Sequence, residues 1–290
     1  MTMDHVYMRD WFGEPGIDAF PDVLNIFDIA TRSKYCIPVS SHEAFETYVA
    51  LNDVKGNNKI TQIYSDNHTS LEKATKQLGA NHEGSQPGHA KTNAIIERCN
   101  QDILIGIRTL LVTAGLPACF WTYAGPAYCF FENITQDQDG NSPWSLRHGD
   151  NFKGEIIPFG CGVFFLPVST KYVNSKAAPS MSYGIFLGYR MAPGGKWSGE
   201  YLVADIYDFV DMPLDVYASE KQCLVKPHMT DQVRMGKRGV CFPIKPKYDQ
   251  VNLTLGGHEA TSCTRPEWKH DPFGVPTLDP RAVWTTANAD

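Results

Sequence analysis

The sequence predicts an α/β or α+β domain over residues 1–150, built as a mixed sheet flanked by helices. A small, mostly β barrel follows over 151–212, and a polar, irregular extension over 213–290. Three observations carry this reading. Short strand-like runs come first and helical patterns after them within residues 1–150, which suits one mixed sheet with helices packed on it. Short apolar runs separated by Gly, Pro, Ser and Asn fill residues 156–209, the pattern of a small barrel. Beyond about residue 211 the apolar periodicity fades, leaving one plausible strand at Val240–Ile244, and several Pro and Gly in the last forty residues predict poor order there.

Taken in order, Asp4–Met8, Val23–Phe27 and Lys34–Val39 read as strands of an antiparallel meander, with Gly13-Glu14-Pro15-Gly16 as a turn. Ser41 is a helix cap, and Ala44, Phe45, Tyr48, Val49 and Leu51 supply the apolar face of the helix that follows. Ile60–Tyr64 is a buried strand. Leu71–Leu78 is a short helix stopped by Gly79, and one short strand fits near Asn81–Ser85. A long helix begins near Asn93, with Ile95, Cys99, Ile103, Ile107, Leu110 and Ala114 on one stripe, and ends at Gly115. The aromatic-rich helix after Leu116-Pro117 reads as core. In the barrel region the runs are Ile156–Gly160, Val163–Leu166, Gly184–Tyr189 and Glu200–Ala204.

Composition narrows the function classes. The chain has 290 residues, 42% apolar and 20% charged, ordinary values for a globular protein. No apolar stretch approaches the roughly 20 residues needed to cross a bilayer, and the opening Met1–Val6 has no signal-peptide pattern. We therefore expect an intracellular protein, nuclear or cytoplasmic, with no membrane partner. Eight dispersed cysteines without a Cys-x-x-Cys pair read as reduced thiols, mostly buried. The net charge of −6 is concentrated in residues 1–150, where 11 Lys and Arg face 18 Asp and Glu. Tight autonomous binding of nucleic acid through a basic surface is not supported by that balance, although bound metal would offset part of it.

Two acids stand at element ends. Asp66 follows the strand Ile60–Tyr64, and Glu97 lies in the first turn of the long helix, turned about 200° from Ile95 and flanked on its side by Asn93 and Gln101. Phosphoryl transfer needs an activated oxygen nucleophile and a stabilised leaving oxygen, which two divalent ions roughly 3.5–4 Å apart supply. Magnesium takes few protein ligands, all oxygen. Both acids also have ordinary explanations, the helix dipole for Glu97 and turn chemistry for Ser65-Asp66-Asn67.

The motifs around these acids resemble a known family. Ser65-Asp66-Asn67, then Asn81-His82, Ser85-x-Pro87 and Asn93-x-x-x-Glu97-Arg98, resemble the second half of the acidic-triad signature of retrotransposon integrases. Thr109-Leu110-Leu111 and Ala114-Gly115-Leu116-Pro117-x-x-Phe120-Trp121 are similar to the helix pair after the Glu in copia-type elements. Ser142-Pro143-Trp144-x-x-x-His148-Gly149 and Pro158-Phe159-Gly160-Cys161 resemble the exit from the core. Gly184–Tyr189 resembles the SH3-like barrel after it, and Gly194–Gly199 a feature of one divergent branch. The likeness covers roughly residues 1–210.

This resemblance implies a ribonuclease H-like core followed by an SH3-like barrel. It also implies Mg2+ or Mn2+, and 3′-end processing followed by strand transfer into target DNA, by a homo-oligomer when active. It makes Asp4, Asp66 and Glu97 the catalytic and metal-binding acids. Asp4 is favoured as the first acid through Thr2-Met3-Asp4-His5, with Asp10 in Asp10-Trp11-Phe12-Gly13 as the alternative. Asp28 is expected to be structural.

Lys91 and Arg98 are candidate contacts to nucleic acid. His82 and His89 are read as loop-surface residues ahead of phosphate contacts, whereas Lys196 and Trp197 are weighed equally against a barrel-turn role. Departures from the family pattern are a shortened interval of 31 positions between Asp66 and Glu97, Ala94 in place of the usual Gly, and no zinc-spaced Cys or His. A chain without that zinc module is expected to bind metal but not to transfer strands robustly alone. A non-catalytic relic or interaction module is the alternative. A ribonuclease acting on RNA–DNA hybrids shares the acids but not the downstream helices.

Overall fold

The computed structural model describes residues 1–9, 12–85, 93–167, 177, 179–237, 239–254, 268–270 and 276–278. Its first sheet has five strands in the order β3-β2-β1-β4-β5. β1 (Thr2–Tyr7), β2 (Asp22–Asp28) and β3 (Ser33–Val39) form an antiparallel meander, whereas β4 (Gln62–Ser65) and β5 (Asn81–Gly84) run parallel to β1. Parallel neighbours need crossover connections, which α1 (Ala44–Lys55) and α2 (Thr69–Leu78) provide.

Side-chain alternation along the strands splits the core into two layers. Met3, Leu24, Ile26 and Ile63 pack with Leu51 and Val54 of α1 and Leu71 and Ala74 of α2. On the opposite face, Val23 and Cys36 meet α3 (Ala94–Ala114) and α4 (Trp121–Ile134) through Ile96, Ile103, Ile107 and Ala124. The aromatic stretch is core, as its composition predicts: Phe120, Trp121 and Phe130 are all buried.

Two helical faces differ from the periodicity reading. α3 buries Ile96, Cys99, Ile103 and Ile107, while Ile95 is 54% exposed. The apolar pair Ile95-Ile96 makes both phases plausible in the sequence, and packing on β1 and β2 selects the second. α1 buries Thr47, Ala50, Leu51 and Val54, leaving Phe45 and Val49 exposed. Ser41 does not cap α1 at its first turn; its backbone N–H instead donates to Glu46, 2.7 Å away.

The second sheet is antiparallel, ordered β10-β6-β7-β8-β9. β6 (Gly162–Phe165), β7 (Ser182–Ala192) and β8 (Lys196–Asp205) come from the expected region. β9 (His228–Thr230) and β10 (Val233–Met235) come from beyond residue 212, so residues read as irregular complete this sheet. Its core is aromatic, with Phe165, Phe186, Tyr189 and Tyr201 packed on Phe130 of α4. The run Ile156–Gly160 is not a strand, and Val240–Ile244 is a loop leading into α6 (Lys245–Asn252). A short pair, β11 (Trp268–His270) and β12 (Pro276–Leu278), follows. Among the described residues no helix is long and apolar enough to cross a membrane.

Candidate active site

β1 and β4 place the first two acids. Their parallel register sets Thr2 beside Tyr64, and the Tyr64 N–H donates to the Met1 carbonyl at 2.9 Å. Two residues further along each strand stand Asp4 and Asp66. A step of two returns side chains to the same face, so the two carboxylates project from one side of the sheet on neighbouring strands, which lie about 4.8 Å apart. That side is the α3 side, because Asp4 shares its face with Val6.

Each acid has its own local support. The Asp4 carboxylate is half-buried, and its Oδ2 accepts from Asn100 Nδ2 at 2.9 Å. Asn100 Oδ1 accepts in turn from Asn25 Nδ2 at 2.9 Å. Asn25 is the cross-strand partner of Asp4 in β2, and both asparagines are buried. Asp66 lies just past the last residue of β4, where its Oδ1 accepts from the His68 N–H at 3.2 Å. Asn67 braces the turn by donating to the Ser85 carbonyl at 2.8 Å. Gly84 makes room for it, since a Cβ there would sit 1.9 Å from Asn67 Oδ1. Glu97 is exposed in the first turn of α3, one turn before Asn100.

Burial pushes the Asp4 carboxyl above the ordinary carboxylate range, and the neighbouring negative charge of Asp66 pushes it further. The Asn100 hydrogen bond opposes both, and Glu97 adds a smaller push upward. Asp4 thus senses both other acids. Even so, among the described residues no group of three His, Cys, Asp or Glu side chains is gathered closely enough to hold a metal ion. The three acids are neighbours rather than a closed cage. Carboxylate oxygens are the donor type that a hard divalent cation prefers.

The remaining candidates fall out unevenly. Arg98 is exposed beside Glu97, whereas Lys91, Asp10 and His89 lie outside the described residues. His82 Nε2 is 2.9 Å from Ser65 Oγ, so it braces the end of β4. Trp197 donates to the Glu200 carbonyl at 2.9 Å and packs against Phe152 and Tyr201, a turn-building role. Asp28 is structural, as expected, and pairs with Arg147 at 3.2 Å. Sequence reasoning missed Asn25 and Asn100. The available signal was a polar residue on the apolar face of the long helix, at i+3 from Glu97.

Comparison with known proteins yields one informative relative. Over 211 residues the chain is 31% identical to the retrovirus-related Pol polyprotein from transposon TNT 1-94 of Nicotiana tabacum, a match covering 67% of this chain and 15% of the polyprotein. No protein-family model matches the chain.

Proposed function

The chain belongs with the retrovirus-related Pol polyproteins of copia-type retrotransposons as an integrase-like region, and from that premise we propose that it is the metal-dependent catalytic part of a DNA integrase. The observation that carries this reading is the β1–β4 register, which sets Asp4 beside Asp66 on the face that α3 crosses with Glu97. A ribonuclease H-like assignment for the first sheet is supported by its order and direction, with β4 and β5 parallel to β1 and the meander on the other side. The small second sheet suits the SH3-like barrel of the same family.

In this reading Asp4, Asp66 and Glu97 hold Mg2+ or Mn2+. Such ions activate a water or a 3′-hydroxyl and stabilise the leaving oxygen. The protein's own residues prepare the acids. Asn25 fixes the amide of Asn100, so that Asn100 presents its N–H2 to Asp4 and favours the charged carboxylate. The His5 backbone favours the charged form in the same sense. The partners are the ends of the element and target DNA, the active form is a homo-oligomer, and the substrate places the work in the nucleus or cytoplasm.

The relic reading is favoured by one observation, the absence of a ready three-ligand grouping among the described residues. Titration of Mg2+ and Mn2+ against the wild type and an Asp66→Asn, Glu97→Gln double variant tests the site. The wild type is expected to bind and the double variant to lose at least tenfold in affinity; identical curves would sink the metal assignment. A strand-transfer assay on preprocessed DNA ends separates the two readings, since any triad-dependent product excludes the relic.

A further inference from the structure

We infer that Arg9 and Arg108 form a second contact for nucleic acid, a phosphodiester-binding mouth about 16 Å along α3 from the acids. The inference rests on the integrase reading above for the position of the strand. Its own evidence is geometric. Glu97 and Arg108 are both exposed on α3, eleven residues apart. Eleven residues make three turns to within about 20°, so the two side chains leave the helix on the same side, about 16 Å apart along its axis. β1 carries Asp4 and ends at Tyr7, and Arg9 follows two residues beyond that end.

The two elements run side by side over that length. Asn100 of α3 bonds Asp4 at one end, and at the other Ile107, Arg108 and Leu111 line one cavity with Met8 and Arg9. The helix that presents Glu97 in its first turn therefore presents Arg108 three turns on, and the segment leaving β1 brings Arg9 to the same cavity.

The basic end is also shaped to receive a ligand. The cavity holds about 330 Å3 and has an apolar floor, with Arg9 and Arg108 exposed at its mouth. Among the described residues neither arginine has an ion pair, while Glu14, which lines the same cavity, has contacts of its own. A guanidinium fork matches the paired oxygens of a phosphodiester. With roughly 3.4 Å of rise per nucleotide along each strand of a B-form duplex, 16 Å corresponds to about five steps. Five steps are about half a helical turn, so with its reacting phosphate at the acids a duplex would turn the backbone of the complementary strand, across a groove, toward the arginines. In a chain of net charge −6, two exposed cations without an ion pair among the described residues are where local attraction for a polyanion is to be found.

Fluorescence anisotropy of a labelled duplex oligonucleotide over a salt series tests this. An Arg9→Gln, Arg108→Gln double variant is expected to bind about tenfold more weakly and to lower the slope of log affinity against log salt by about one to two. The Arg9→Lys, Arg108→Lys pair should keep the salt slope and lose part of the affinity. Asp66→Asn, Glu97→Gln should leave the salt slope unchanged. Wild-type affinity and slope in the folded Gln variant would overturn the inference, and so would a wild type that binds no duplex at low salt. Neither outcome touches the metal titration of the acids, so failure here is distinguishable from failure of the integrase reading. Both arginines are exposed, and a melting curve confirms that the variants fold.

Discussion

The acid face and the seam between the two sheets treat buried charge in opposite ways. At the seam, Arg147 from α5 (Pro143–His148) is nearly buried, with 5% of its side chain exposed, yet each of its three guanidinium nitrogens donates a hydrogen bond. It pairs with Asp28 at 3.2 Å, donates to the carbonyls of Val54 and Gly194, and lies over the Tyr35 ring. Asp28 also accepts from Thr31 Oγ1 and from the Ala30 N–H. One side chain thus ties the ends of α1 and β2, the start of β3 and the β7–β8 turn together. At the acid face, among the described residues, Asp4 has a single side-chain donor and Asn25 Oδ1 is buried without a partner, and Glu97 stands in solvent. A charge that holds a fold together is fully coordinated by that fold. A charge meant for a ligand is left with open oxygens, at some cost to stability.

The largest effect is expected from breaking the satisfied side. Arg147→Met should cost about 3–5 kcal/mol, because it leaves the Asp28 carboxylate buried without its cation. Arg147→Lys should fall between, since one ammonium cannot reproduce the fork that reaches Asp28, Val54 and Gly194 together. Urea unfolding measures both. Adding Asp28→Asn to Arg147→Met should recover part of the loss, as coupled partners do. A loss below about 1 kcal/mol for Arg147→Met would mean that the seam is held by its aromatic packing alone.

The contrast also marks what the sequence made legible. The strands of the first sheet, the long α3 and the positions of Asp66 and Glu97 at element ends follow from local signals: alternation, helical spacing and turn residues. The phase of α3 did not, because Ile95 and Ile96 satisfy the pattern equally and only docking on β1 and β2 separates them. Nor did Arg147. Nothing near it in the chain announces that Asp28, Val54 and Gly194 will converge there, as these partners lie tens of residues away. Asn25 and Asn100 were hidden for the same reason, since a buried amide pair between a strand and a helix exists only once the register is set. β9 and β10 were missed because three-residue strands carry too little periodicity to stand out from a polar loop.

A smaller effect, of opposite sign, is expected on the under-coordinated side. Asp4→Asn removes a carboxylate that burial and Asp66 hold in an unfavourable charged state. Asn can still accept from Asn100 through its own carbonyl. The variant should be as stable as the wild type or more stable, by less than about 1 kcal/mol because the group is partly solvated and screened. Thermal unfolding at neutral pH measures this, and a large loss would mean that Asp4 is structural, like Asp28, and would weaken its place among the acids. The same variant should lose metal affinity, which a structural acid would not.

The smallest effect is a pH dependence at the seam. His148 Nε2 lies 3.1 Å from the Gly195 carbonyl, and its ring packs on Trp144. Burial, and then the charge of Arg147, hold its imidazole below the ordinary histidine range. The unfolded chain therefore takes up a proton at a pH where the folded chain does not. Between the ordinary value near 6.5 and the lower folded value, the unfolded state binds more protons, so stability falls as pH falls. Above that window the contribution is fully present. Melting temperatures from pH 8 to 5 should drop more steeply for the wild type than for His148→Gln, whose amide can keep the bond to Gly195 without titrating. Asp4 works with the reverse sign, because a raised carboxyl makes the folded state the better proton acceptor as pH falls. An Asp4→Asn background removes that counter-trend and should steepen the overall fall of stability with pH by the same amount with and without His148; parallel curves with and without His148 would show that the seam does not titrate.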